Sequence, residues 1–216
     1  IEKVEKKGVP FILIPPTAGT GSEVTYNAIF TDTRDQVKKG IVSTYLLPDV
    51  AIVDPALTLT VPPAVTAATG MDALVHAVES YTAVRANPLT DGIALKAIKL
   101  ISQSLRKAVF QGSNLKAREE MAMGSLLAGI SLGNAGVGAV HALAYPLGGK
   151  FKVPHGVANS MLLPYVMKYN VVADLQKFVE IAQAMGEQVE GLSLREAADR
   201  AVQAMSKLAQ DVGIPA

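Results

Sequence analysis

The chain has 216 residues, half of them hydrophobic, enough for one large domain or two small ones. Twenty Lys and Arg against nineteen Asp and Glu leave no net field, and no basic run interleaves with aromatics, which sets nucleic acid aside as a partner. Cysteine is absent, which excludes a disulfide framework, a thiolate nucleophile and a sulfur-ligated metal, and fits a cytoplasmic setting.

Residues 1–60 read as strands and turns: VPFILIP (9–15), VTYNAIFTD (24–32) and PDVAIVDP (48–55), joined by Gly-, Pro-, Asp- and Lys-rich connections. After Pro62 and Pro63 the pattern changes, with helices expected at about 62–81, 90–110, 115–132, 138–147, 156–172, 174–185 and 193–212. The last is bounded by a capping box, Ser193 with Glu196, and by Gly213 and Pro215 beyond its end. The fold class is therefore mainly α: a short β-rich segment (1–60) followed by an all-helical body (61–216). So few strands would leave a sheet poorly covered, and the chain opens at Ile1 rather than Met, so a fragment of a longer protein is expected.

No Asp, Glu, Lys or Arg occurs from Met121 to Gly149, a length that passes a simple membrane-span test. Gly124, Gly129, Gly133, Gly136, Gly138 and Pro146 interrupt it, together with Ser125, Ser131 and Asn134. A buried helix pair with a tight bend is expected, with no membrane contact.

TAATGMDALVHAVESY (66–81) carries Asp72 and His76 four residues apart, so a helix stacks them on one face, with Glu79 a turn further on. The other two histidines are His141, inside the charge-free stretch, and His155, between Pro154 and Gly156 at a helix start. Three imidazoles and one carboxylate suffice to hold a divalent transition metal. Spacing by itself leaves open three unrelated histidines packed in the core or at the surface.

The glycine motifs are weaker. TAGTGSEVT has Gly19 and Gly21 but Val24 where a dinucleotide fingerprint needs its third glycine, and more strand follows it. GGK at 148–150 lacks the spacing and hydroxyl residue of a P-loop. TAGTGSEVT reads as a tight turn, or as a surface of hydroxyls and backbone open to an anionic ligand.

Taken together, IPPTAGTGSEVT (14–25), LLPDVAIVDPALTLTVPPAVTAATGMDALVHAVESY (46–81), ANPLTDGIALKAIKLI (86–101), NAGVGAVHALAYPLGG (134–149) and VPHGVANSMLLPYVMKYN (153–170) resemble the iron-containing (group III) alcohol dehydrogenases, in order and through nearly the whole chain. The resemblance implies the helical metal-binding domain of the dehydroquinate synthase-like/iron alcohol dehydrogenase fold, preceded by a remnant of its α/β nucleotide-binding domain. It implies Asp72, His76, His141 and His155 as ligands of Fe²⁺, or of Zn²⁺, with Glu79 facing solvent or supporting a ligand. It implies NAD or NADP contacts from Thr17, Thr20, Thr25, Asn27 and Lys38, although the lysine pair at 38–39 also reads as a solvated loop. Tyr145 falls where many members carry a histidine proposed to relay protons, and Pro16 replaces one of two threonines.

The implied activity is hydride transfer between a small alcohol or aldehyde and nicotinamide, with the metal as Lewis acid, in a homo-oligomer. The choice of nicotinamide cofactor and the substrate walls would come largely from the part of the family fold outside this chain, so the isolated chain is expected to be inactive. The competing function is a non-catalytic, self-associating metal-binding helical module. A metallohydrolase fits less well, because the residue after His76 is Ala77 rather than the glutamate of the zinc-protease motif.

Overall fold

The computed structural model describes residues 4–32, 34 and 37–215. The first part contains four strands: β1 (Ile12–Leu13), β2 (Asn27–Asp32), β3 (Val37–Val42) and β4 (Val50–Ala51). β1 and β4 pair in parallel, with Ile12 opposite Val50, while β2 and β3 form an antiparallel ribbon from Asn27 opposite Val42 to Asp32 opposite Val37. The strands expected at 9–15 and 48–55 shrink to two residues each. Pro10 and Pro15 bracket the first and Pro48 and Pro55 the second; proline carries no N–H for a ladder. β3 was not expected, because its sequence VKKGIV reads as a lysine-rich turn.

Seven helices follow: α1 (Pro63–Tyr81), α2 (Pro88–Phe110), α3 (Leu115–Ala135), α4 (Ala139–Phe151), α5 (His155–Asn170), α6 (Leu175–Ala184) and α7 (Leu194–Asp211). Each corresponds to an expected segment. Proline at the first helical position of α1 and α2 pre-sets φ where the N–H has no intrahelical partner. Asn87 with Thr90 closes a capping box on α2, and Ser193 with Glu196 closes the expected one on α7.

α1 packs against α2, α3 and α5 and is buried almost continuously from Thr66 to Tyr81, as a helix apolar on nearly every side must be. Leu74 of α1, Ile98, Ile101 and Leu105 of α2 and Leu163 of α5 are fully buried in this packing. Truncating any one of them to alanine is expected to cost about 2–5 kcal/mol. Arg118, also buried, donates to Thr66 Oγ1 (2.9 Å), to the Gly112 carbonyl (2.9 Å) and to the Val61 carbonyl (3.2 Å), fixing the start of α3 against the entry to α1.

Two glycines set the approach of the elements that carry chemistry. Gly21 has φ +60°, and a Cβ there would lie 2.5 Å from Gly129 Cα, so the TAGTGSEVT turn lies backbone to backbone on α3. A Cβ at Gly156 would lie 2.3 Å from the Ala68 carbonyl oxygen. The first turn of α5 is thereby pressed onto α1, one turn before Asp72.

α3 and α4 form the expected bent pair, turning by 105° at residues 136–138, where Gly136 adopts φ +88°. Among the described residues no single helix is long and apolar enough to cross a membrane.

Candidate metal centre

Three helices bring the centre together. Asp72 and His76 stand one turn apart on α1, His141 lies in the first turn of α4 just after the 105° bend, and His155 is the first residue of α5. One ligand atom from each of Asp72, His141 and His155 falls within 4.8 Å of the other two. His141 Nε2 is 4.0 Å and His155 Nε2 3.9 Å from Asp72 Oδ1. Two donors each about 2.1 Å from one ion stand at most about 4.2 Å apart, so these separations suit a shared divalent cation.

His76 stands outside that close group but beside it. Its ring stacks on His141 with centroids 4.7 Å apart and planes 15° from parallel. Its Nδ1 is buried and has no hydrogen-bond partner among the described residues. Burial pushes the His76 pKa down to about 4, against the opposing pull of Asp72, so the ring is neutral near pH 7. A buried neutral imidazole with an unpartnered nitrogen is what an additional metal ligand requires. For Asp72, burial alone would raise the pKa, but the imidazoles of His76, His155 and His141 and the Asn159 amide together hold it below the ordinary value.

Glu79 settles between its two expected roles: it is 1% exposed, not solvent-facing. Its Oε1 accepts the Val140 backbone N–H at 2.7 Å and its Oε2 lies 2.6 Å from His141 Nδ1. One carboxylate thus caps the open start of α4 and aims the far nitrogen of His141 at Asp72.

Sequence reading did not single out Asn159, which is fully buried. Its Nδ2 lies 2.6 Å from Asp72 Oδ1 and 3.1 Å from both His141 Nε2 and His155 Nε2. The signal was present: Asn159 follows His155 by four residues, the spacing that links Asp72 with His76.

The four ligand candidates border a cavity of about 650 Å³ whose other walls include Thr20, Thr25, Asn27, Arg85 and Tyr145. The Tyr145 ring lies 6.4 Å from that of His155 and 13° from parallel. Burial first, and Glu79 second, raise the Tyr145 pKa, so its hydroxyl keeps its proton at neutral pH. Thr17 does not border this cavity; it lines a small crevice with Glu23, Asp54 and Ser125. The Lys38 side chain lies outside the described residues, while its backbone pairs with Thr31 in the β2–β3 ribbon.

Residues 66–216 match the family model described as "Fe-containing alcohol dehydrogenase family, C-terminal", and residues 1–55 match "Iron-containing alcohol dehydrogenase". The chain belongs to the iron-containing alcohol dehydrogenase family. Among members of this family, 1,3-propanediol dehydrogenase of Klebsiella pneumoniae is 52% identical over 215 residues, 100% of this chain and 56% of the relative. Lactaldehyde reductase of Escherichia coli K12 is 45% identical over the same span and shares. The structure of an alcohol dehydrogenase from Oenococcus oeni superposes with a TM-score of 0.96 at 48% identity, covering 99% of this chain and 56% of that one. The chain therefore spans about half the length of the curated family members it matches.

Proposed function

We propose that this chain carries the metal site of an NAD(P)-linked alcohol dehydrogenase or aldehyde reductase. The observation supporting it most directly is the convergence of Asp72, His141 and His155 donor atoms within 4.8 Å, beside a cavity also bordered by Thr20, Thr25 and Asn27. Asp72, His76, His141 and His155 would hold Fe²⁺ or Zn²⁺; ligands of this type do not by themselves choose between the two. An ion held there would supply Lewis-acid polarisation of the substrate oxygen.

The other roles belong to the chain's own groups. Glu79 orients His141. Thr20, Thr25 and Asn27 present polar groups to NAD or NADP across the cavity, with Thr17 and Lys38 as outlying candidates. Tyr145, protonated at neutral pH, donates a hydrogen bond to the substrate oxygen and does not act as a base while it holds that proton. The substrate class is a small alcohol or aldehyde, in line with the propanediol and lactaldehyde named for relatives. The same reading divides the chain into residues 1–60, on the cofactor side, and the metal-binding helices 61–216, acting in a cytoplasmic homo-oligomer without nucleic acid or membrane.

Two measurements test this. Elemental analysis after reconstitution with Fe²⁺ or Zn²⁺ is expected to give about one ion per chain, lost in His155→Ala. Oxidation of NADH or NADPH by small aldehydes is expected to depend on that ion wherever turnover is seen. Metal uptake without turnover is what the isolated chain is expected to give under this reading and under the second, a non-catalytic metal-holding helical module, whereas metal-dependent turnover overturns the second. A wild-type chain that takes up no metal overturns both.

A further inference from the structure

The Asn159 side chain is hydrogen-bonded on one end only. Its Nδ2 stands where Asp72 Oδ1 (2.6 Å), His141 Nε2 (3.1 Å) and His155 Nε2 (3.1 Å) converge, while its Oδ1 is buried with no partner among the described residues. A buried carbonyl without a donor is a cost that proteins rarely carry. Turning the amide over would place its oxygen 2.6 Å from the Asp72 carboxylate with no proton between them, which is worse. With His141 Nδ1 engaged by Glu79, its Nε2 presents a lone pair. In the His155 tautomer that carries its proton on Nδ1, Nε2 does the same, and the amide then faces acceptors from three residues with only two protons. That is the environment of a small cation.

An amide nitrogen is not itself a metal donor, because its lone pair is delocalised into the carbonyl. A divalent ion held by Asp72, His141 and His155 would need the same three donor atoms, so ion and amide compete. We propose that Asn159 is a positioning residue that holds these donors together and is displaced when metal enters, lowering metal affinity and setting how readily the ion exchanges. This rests on the metal reading above.

The test uses Co²⁺ as the probe, with affinity from chelator competition and melting temperature recorded after EDTA treatment and after Co²⁺ loading. Asn159→Ala and the near-isosteric Asn159→Leu are compared with wild type, the second guarding against loss of fold through an unfilled cavity. The EDTA-treated variants are expected to melt lower than wild type, the loaded forms to differ less, and Co²⁺ to bind about tenfold more tightly, as the loss of one charge-assisted hydrogen bond from the unloaded state implies. Equal affinity in wild type and both variants overturns the proposal, since metal and amide would then not compete. Weaker binding in both overturns it as well, assigning Asn159 to the loaded site. Failure of the wild type to take up Co²⁺ instead overturns the metal reading, and this proposal with it.

Discussion

The Glu79 carboxylate bridges α1 and α4, taking the Val140 N–H with one oxygen and lying 2.6 Å from His141 Nδ1 with the other. Glu79→Gln keeps the shape but offers one acceptor and one amide donor in place of two acceptors. If that amide faces His141, Nδ1 must accept and the proton moves to Nε2, removing the lone pair aimed at Asp72. Metal affinity is expected to fall about 10- to 100-fold, measured by chelator competition, with secondary structure unchanged by circular dichroism.

Two glycine-to-alanine exchanges should act in opposite directions. At Gly156 the added Cβ would meet the Ala68 carbonyl oxygen at 2.3 Å, so α5 must shift from α1, carrying His155 and Asn159 with it. Gly156→Ala is expected to destabilise by about 1–3 kcal/mol and to weaken metal binding. Gly92 lies exposed within α2 with nothing within 4 Å of a Cβ. Gly92→Ala should stabilise by about 0.5–1 kcal/mol and leave metal binding alone. Denaturant unfolding of the two variants checks both signs.

Stability of the chelator-treated protein should fall with acidification in a defined window. In the unfolded chain a histidine takes up its proton near its ordinary value of 6.5, whereas folded His76 stays neutral until about 4. Between these values the unfolded state binds more protons, so stability rises with pH, is fully present above about 6.5 and is lost as pH falls toward 4. The difference of about 2.5 pH units corresponds to about 3 kcal/mol. Asp72, held below its ordinary value, adds a further loss only at still lower pH. Melting temperature against pH should show the slope, and His76→Gln should flatten it.

Removing a methyl-rich contact beneath the centre separates packing from ligation. Leu105 is fully buried on α2, and its side chain packs against Gly70 of α1. Leu105→Ala is expected to lose about 2–5 kcal/mol of stability while metal stoichiometry at room temperature stays near one, read by elemental analysis.

The helices were legible because apolar spacing, prolines at first turns and capping residues such as Ser193 with Glu196 all act within a few residues of one another. Strand lengths were not, since pairing depends on a distant partner: β1 is what β4 can reach, and Val37–Val42 becomes a strand only beside β2. Asp72 and His76 could be placed on one helix face from spacing alone. That Glu79 turns inward depends on where α4 begins, and α4 begins where the chain bends at Gly136–Gly138, a direction no local pattern encodes. Asn159 escaped notice because an amide belongs to no usual ligand set, although its spacing from His155 was visible.

The bend between α3 and α4 has a kinetic consequence. It returns the chain so that donors at positions 72, 141 and 155 meet although most of the helical sequence lies between them. An ion seated there would act as a removable cross-link tying α1, α4 and α5, closing long loops that an unfolding chain must open together. Loading and stripping that ion should therefore change how long the folded state survives a denaturant jump more than it changes the helix content from which the jump begins.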